Sequence, residues 1–153
     1  MNIAKKLLVL AAALSVLAFG AAFAGDGGTK PEAVAMVKKA VAYVQANGAE
    51  KAYAAFGEKT GPFKDRDMYV YVYDLNGNCL AHGMNPKLVG KNNMDAQDAD
   101  GVYYVKNRME MAKTKASFWQ DYKYSDPVTK KLAPKSAYCE KLNATVICVG
   151  VYG

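Results

Sequence analysis

Residues Asp67 to His82 read D-M-Y-V-Y-V-Y-D-L-N-G-N-C-L-A-H. β-Branched and aromatic residues run up to Asn76-Gly77, and an Asn-Gly pair between such runs is a strong hairpin signal. A two-residue turn there sets Leu75 opposite Asn78, Tyr73 opposite Leu80, Tyr71 opposite His82 and Tyr69 opposite Met84. Successive side chains of a strand point to opposite faces. One face therefore carries Tyr69, Tyr71, Tyr73, Leu80, His82 and Met84, and the other Met68, Val70, Val72, Cys79 and Ala81. The chain's only histidine shares a face with a stripe of phenol rings.

Upstream of the hairpin the pattern is helical. Pro31 suits a first turn, and Val34, Val37, Val41 and Val44 form one apolar stripe. Asn47-Gly48 interrupts it, Ala52, Tyr53 and Phe56 continue on one side, and Gly57 and Gly61-Pro62 end the helix. Downstream, Asn85 to Asn93 reads as loop, and Asp98-Ala-Asp100-Gly101 leads into a helix with Val102, Val105, Met109 and Ala112 as its apolar residues. Asp98 or Asp100 is the expected cap. Strands follow over about 117–124, 135–142 and 145–152. Helix, two strands, helix and three strands predict an α+β domain with an antiparallel five-stranded sheet.

The first 24 residues stand apart. Lys5 and Lys6 precede an apolar run from Leu7 to Phe19, then the small-x-small site Ala22-Phe23-Ala24. That is the layout of a cleaved secretory signal peptide, with an uncleaved anchor as the alternative because Leu7 to Ala24 is 18 residues, the low end of a spanning length. Residues 25–30 read as a flexible tail and 31–153 as a single domain. No cysteine follows the apolar run to carry a lipid, and no second segment reaches spanning length. The expected product is periplasmic or secreted, bacterial and soluble, without stable membrane insertion after cleavage. The formal charge of +6 includes the two lysines of the leader, and the remaining lysines are scattered. Nucleic-acid binding needs a clustered basic face, so it is not expected.

Of the three cysteines, Cys139 and Cys148 face each other if the last hairpin turns at Asn143-Ala144. In an exported chain this predicts a disulfide, with two packed thiols as the alternative, and leaves Cys79 as a buried free thiol. A Cys-Cys-His metal site lacks any short ligand spacing. There is no nucleophile elbow and no haem-attachment motif, and the Asp98–Gly101 run misses both end ligands of an EF-hand. No enzyme, metal or cofactor is expected.

From Met68 onward the chain resembles a single Cache domain, the extracytoplasmic sensor module of bacterial chemoreceptors and histidine kinases. The resemblance rests on D-L-N-G-N-C-L-A-H-G-M-N-P-K-L-V-G-K-N (Asp74–Asn92), D-A-D-G (Asp98–Gly101), W-Q-D-Y (Trp119–Tyr122), D-P-V-T-K-K-L-A-P-K-S-A-Y (Asp126–Tyr138) and V-G-V-Y (Val149–Tyr152). It implies a PAS-like sheet with a long N-terminal helix on one face. A loop and helix then cover a ligand pocket on the other face. Small organic acids are common ligands of such modules. Family members usually feed a cytoplasmic signalling domain, whereas this sequence ends at Gly153, so a stand-alone module without its own output is expected.

Two roles for the tyrosine face follow. It is either a half-exposed outer surface, or Tyr69, Tyr71 and His82 line a pocket with neutral donors on an apolar wall. A carboxylate would need a cation, and Arg108 and Lys135 are the candidates. Trp119 and Tyr122 fit the family pattern but point to opposite faces of a regular strand. The expected function is binding or sensing of a small molecule, a carboxylate by preference, with a membrane chemoreceptor or histidine kinase as the expected partner. The alternatives are an interaction module docking on such a receptor with its pocket vestigial, and a metal or thiol-redox protein using His82 and the cysteines.

Overall fold

The computed structural model describes residues 26–153; the leader read over residues 1–24 lies outside the described residues. Helix α1 (Lys30–Asn47) opens on a capping box that the sequence reading passed over. Thr29 Oγ1 accepts from the Glu32 N–H at 3.4 Å, and Glu32 Oε2 accepts from the Thr29 N–H at 2.8 Å. Gly27 to Thr29, which composition suggested as a tail, are bonded to the domain: Arg66 donates to the Gly27 carbonyl, and Gly28 N–H donates to Asp67. Gly48, at φ +83°, then breaks the chain into α2 (Ala49–Phe56).

The buried stripe of α1 is Ala33, Met36, Val37 and Ala40, not the valine row the periodicity suggested. Only Val37 of that row is fully buried, while Val41 and Val44 pack at the margin. Alanines at the line of contact let the helix backbone approach the sheet closely, and that outweighs side-chain hydrophobicity in setting the helix rotation.

The strands are β1 (Lys64–Asp65), β2 (Met68–Asp74), β3 (Cys79–His82), β4 (Ser117–Ser125), β5 (Leu132–Leu142) and β6 (Thr145–Tyr152). They form one antiparallel sheet in the order β3-β2-β6-β5-β4, with two-residue β1 added to the same edge of β2 as β3. The five expected strands are present, and β1 is a sixth that its Lys-Asp sequence did not signal. Between β3 and β4 lie a 3-10 turn (Pro86–Leu88) and helix α3 (Tyr104–Thr114).

Two details correct the sequence reading. The Asp74 carboxylate accepts from the N–H groups of Asn76 and Asn78, each at 2.9 Å, and from Asn78 Nδ2 at 2.8 Å. The turn is thereby wider than two residues, and a bulge at Leu80 absorbs the difference. Tyr73 consequently opposes Cys79 instead of Leu80, while Tyr71 still opposes His82. Cys79 joins the tyrosine face and Leu80 packs on the helix side. The second correction concerns Asp98. It does not cap α3, which begins at Tyr104 without a side-chain cap. Instead it accepts from Asp100 and Val102 N–H at 2.9 Å each and from Lys123 N–H at 3.0 Å, tying the loop to the outer edge of β4.

The sheet therefore separates two cores. One joins Met68, Val70, Val72, Ile147 and Val149 to α1 and α2. The other joins Tyr69, Tyr71, Tyr73, Cys79 and Cys148 to Val105, Met109 and Ala112 of α3. Cys139 and Cys148 are disulfide-bonded across β5 and β6, and Cys79 is a buried free thiol, as the hairpin register predicts. Burial pushes that thiol up to about 11, which leaves it unreactive at neutral pH.

Candidate functional site

Tyr69, Tyr71 and Tyr73 are each no more than 2% exposed, so they form the wall of an interior site instead of an outer surface. Other strands of the sheet extend the aromatic wall, with Tyr152 from neighbouring β6 and Tyr122 and Tyr124 from β4 at the far edge. Helix α3 brings Tyr104 onto Tyr122, stacked at 4.9 Å. Into this wall the fold directs two basic side chains, Arg108 from α3 and Lys135 from β5, exposed by only 1% and 2%.

The Arg108 guanidinium carbon lies 5.1 Å from the centre of Tyr71, 5.4 Å from Tyr122, 5.5 Å from Tyr73 and 5.9 Å from Tyr104. Its Nε donates to Gln120 Oε1 at 3.0 Å, and Gln120 Nε2 is itself anchored on the Tyr104 carbonyl at 2.7 Å. Its Nη2 is buried with no hydrogen-bond partner among the described residues. Lys135 Nζ sits 4.4 Å from the Tyr69 ring, 4.8 Å from Tyr71 and 5.1 Å from both Tyr124 and Tyr152. It donates to Tyr69 Oη at 2.8 Å, and Tyr69 continues through Tyr152, at 3.4 Å, to the Ser125 carbonyl, 3.0 Å further on.

His82 stacks on Tyr71 with ring centres 5.7 Å apart. Its Nδ1 accepts from the backbone N–H groups of Met84 and Asn85 at 3.2 and 2.9 Å. Two donors on Nδ1 place the ring proton on Nε2. Burial, with Lys135 and Arg108 adding to it, pulls the imidazole down to about 3, so the ring is a neutral donor. Unfolded histidine titrates near 6.5. Between pH 6.5 and about 3 the unfolded chain therefore binds a proton that the folded chain does not, and stability falls as pH falls through that window. His82→Gln should flatten the pH dependence of the unfolding free energy there by a few kcal/mol, as followed by urea titrations. Equal slopes in both proteins would show that the imidazole titrates normally.

The charges do not balance. Neither Arg108 nor Lys135 takes part in a salt bridge among the described residues. The phenols cannot supply the missing anion: burial raises Tyr71 to about 12 and holds Tyr69 and Tyr122 well above the usual tyrosine range. Asp67 is buried, but it accepts the N–H groups of Gly28 and Tyr152. Arginine stays protonated at any accessible pH, and a buried cation without a partner costs several kcal/mol. Ring faces offset part of this, about 0.5–2 kcal/mol each. What remains is a site preset for an anion.

The space between these groups is small. Tyr71, Tyr73, His82, Tyr104, Arg108, Tyr122, Tyr124 and Lys135 enclose about 10 Å³, room for about one water. A second cavity of about 250 Å³ lies against the outer side of Tyr69, His82 and Tyr124, between the Met84-Asn85 turn and the Ser125–Lys130 loop. These rings are the partition between surface and site. An open depression of about 470 Å³ runs along β4 and reaches Lys135 and Tyr122 from the other side; there Lys123 pairs with Asp100, and Asp121 accepts from the Ser136 hydroxyl.

The structure thus brings together Tyr69, Tyr71, His82, Arg108, Tyr122 and Lys135 and leaves out Trp119. Trp119 is 37% exposed on the α1 side of the sheet, against Tyr138 and under Lys30, while Tyr122 faces the site. Strand β4 carries no bulge, so its alternation holds and only one of the pair can enter. Sequence reading missed Gln120, Tyr104, Tyr124, Tyr152 and Gly150. The first four were recoverable from spacing: Gln120 and Tyr124 flank Tyr122 at two-residue steps, Tyr104 precedes Arg108 by one helical turn, and Tyr152 opposes Lys135 in the hairpin register that pairs Cys139 with Cys148. Gly150 was not, because its role appears only in three dimensions. A Cβ there would overlap Lys135 Cε and lie 3.0 Å from Lys135 Cγ, so the bare backbone makes the trough in which the lysine lies. Gly150→Ala should displace Lys135, weakening ligand binding at least about tenfold with the fold retained; calorimetry and circular dichroism on one sample check both parts.

A family model described as single Cache domain 2 matches residues 21–152. The chain is 32% identical over 89 residues to the sensor histidine kinase MctS of Rhizobium johnstonii; the match takes in 57% of this chain and 19% of that one, so the chain spans about a fifth of this curated relative. Among solved structures, a methyl-accepting chemotaxis protein from Vibrio parahaemolyticus superposes with a TM-score of 0.69 at 26% identity, over 80% of this chain and 87% of that one. A Cache chemosensory domain whose structure is described as the basis for carboxylic acid recognition gives 0.67 at 20% identity, over 80% and 91%. Among the described residues no helix is long and apolar enough to cross a membrane, and no group of three or more His, Cys, Asp or Glu could hold a metal ion.

Proposed function

The chain belongs to the single Cache domain 2 family of extracytoplasmic, ligand-sensing modules, and from that premise we propose that it binds a small organic carboxylate between Arg108, Lys135 and His82. The observation that carries this is the buried Arg108 Nη2, unpartnered among the described residues, in a site whose lining holds two basic side chains and no carboxylate. A carboxylate entering past Tyr69 and Tyr124 would accept from that nitrogen, with the Lys135 amine and the His82 Nε2–H as further donors. The free groups in the wall are the N–H donors of Arg108 and His82, phenol hydroxyls that donate or accept, and ring faces. The site therefore favours ligands rich in acceptors and disfavours an ammonium group, which would meet Arg108 directly. The carboxylic acid recognition described for one structural neighbour agrees with this; the likeness at 20% identity shows the fold alone.

Thermal unfolding with a small-molecule set tests the proposal. A ligand at a hundred times its Kd stabilises the fold by about 2.7 kcal/mol. Short carboxylates should raise Tm, while amines and α-amino acids of the same size should not. A set in which amines shift Tm and carboxylates do not would reverse the assignment. We further propose that the protein is exported, and that it hands its ligand state to a membrane chemoreceptor or histidine kinase, the setting in which its relatives occur.

A further inference from the structure

We propose that Lys135 is a reversible covalent anchor: its amine forms an imine with the carbonyl of a 2-oxo acid whose carboxylate is held by Arg108. The inference rests on the carboxylate reading above and names the subclass of ligand.

The hydrogen bonds of Lys135 carry it. Tyr152 Oη donates to the Ser125 carbonyl, so the Tyr69 hydroxyl gives its single proton to Tyr152 and must accept from Lys135. That is the one hydrogen bond of Nζ among the described residues. An ammonium there would hold two buried N–H groups without an acceptor, whereas a neutral amine leaves one N–H and a free lone pair. No acid pairs with it among the described residues, and Arg108 faces the same Tyr71 and Tyr122 rings. Burial first, and the Arg108 charge second, hold the lysine well below its ordinary range, against a smaller opposing pull from the buried Asp67 carboxylate. A desolvated lysine beside a second cation is the arrangement that makes an amine nucleophilic at neutral pH.

The partners for the step are in place. Arg108 and Lys135 line one small cavity, which has room for about one water and must open by movement of its ring wall to admit a 2-oxo acid; a carboxylate on the guanidinium then leaves its carbonyl in the space that the Lys135 amine shares. The amine nitrogen attacks that carbon and the C–N bond forms. The carbonyl oxygen takes up the two protons that the nitrogen gives up and leaves as water, so amine and ketone become imine and water with no change of oxidation state. Tyr69, bonded to Nζ, and His82, with its proton on Nε2, are the groups that can pass those protons. A carboxylate without a carbonyl still binds, but without the covalent bond.

The test is reductive trapping of the purified protein with pyruvate and cyanoborohydride at neutral pH, read by intact mass and peptide mapping, beside a thermal-shift series with pyruvate and propionate. The expected result is one adduct, pyruvic acid less one oxygen, located on Lys135. It should accumulate on the order of tenfold or more faster than on exposed lysines, whose free-amine fraction at that pH is about 0.1%. Propionate should suppress it, and Lys135→Met should abolish it. If pyruvate raises Tm but the label is absent or spread over surface lysines, the imine is wrong and the carboxylate site stands. If neither acid shifts Tm and no adduct forms, both fall together.

Discussion

Replacing Arg108 with methionine is expected to weaken carboxylate binding by roughly a hundredfold or more while changing the stability of the ligand-free protein comparatively little. Loss of a charge-assisted, desolvated contact to an anion costs about 2–5 kcal/mol, which sets the first figure. The second follows from the state of the empty site. Arg108 is 1% exposed, makes one hydrogen bond through Nε, and has a buried Nη2 without a partner among the described residues. Removing such a charge relieves its desolvation, and replacement of buried ionic groups by apolar ones of similar volume is neutral or stabilising by about 1–4 kcal/mol. Against this stand the Gln120 Oε1 left without its donor, about 1–3 kcal/mol, and the lost contacts with the rings of Tyr71, Tyr73, Tyr104 and Tyr122, which methionine replaces only in part. The opposing effects are of similar size, so Tm should stay within a few degrees of wild type. A residue serving only the fold would behave oppositely, with Tm falling steeply. Calorimetry for binding and thermal unfolding without ligand separate the two.

Removal of the disulfide acts on stability instead. Cys139 and Cys148 are nine residues apart and close a hairpin at the centre of the sheet, where Cys148 lies opposite Tyr71. A loop of that size restricts the unfolded chain by about 2–3 kcal/mol. For a domain of this length that corresponds to a fall in Tm of roughly 10 °C in the Cys139→Ala/Cys148→Ala protein. Wild type in excess reductant should match it. Both sulfurs lie in the core under α3, so a Tm within two or three degrees of wild type, by the same scaling, would mean that repacking offsets the lost constraint.

The fold was legible because its signals are local and repeat. Strand alternation and the Asn76-Gly77 turn place Tyr71 opposite His82 in the sequence as in the structure, and the last hairpin places Cys139 opposite Cys148. Errors arose where one side chain reorganises backbone nearby. The Asp74 carboxylate widens its turn and transfers Cys79 to the other face, and Asp98 binds β4 where helix capping was the simpler expectation. Neither competition can be settled from spacing. In the site, the residue types were readable, and strand parity showed that Trp119 and Tyr122 could not both enter without saying which would. That depends on which sheet face α1 covers, a property of the packed domain. The closeness of Arg108 and Lys135 without a carboxylate was hidden for the same reason, since their strand and helix meet only when the sheet is assembled.

Titration calorimetry with propionate and with propionamide tests the central claim most directly. The two ligands share shape and apolar tail and differ in charge. A site built around an unbalanced guanidinium should bind the acid and show the amide at least about a hundredfold weaker, the loss expected when a buried charge has no counter-ion. Equal affinities, or binding of the amide alone, would contradict an anion site and make Arg108 and Lys135 parts of the architecture.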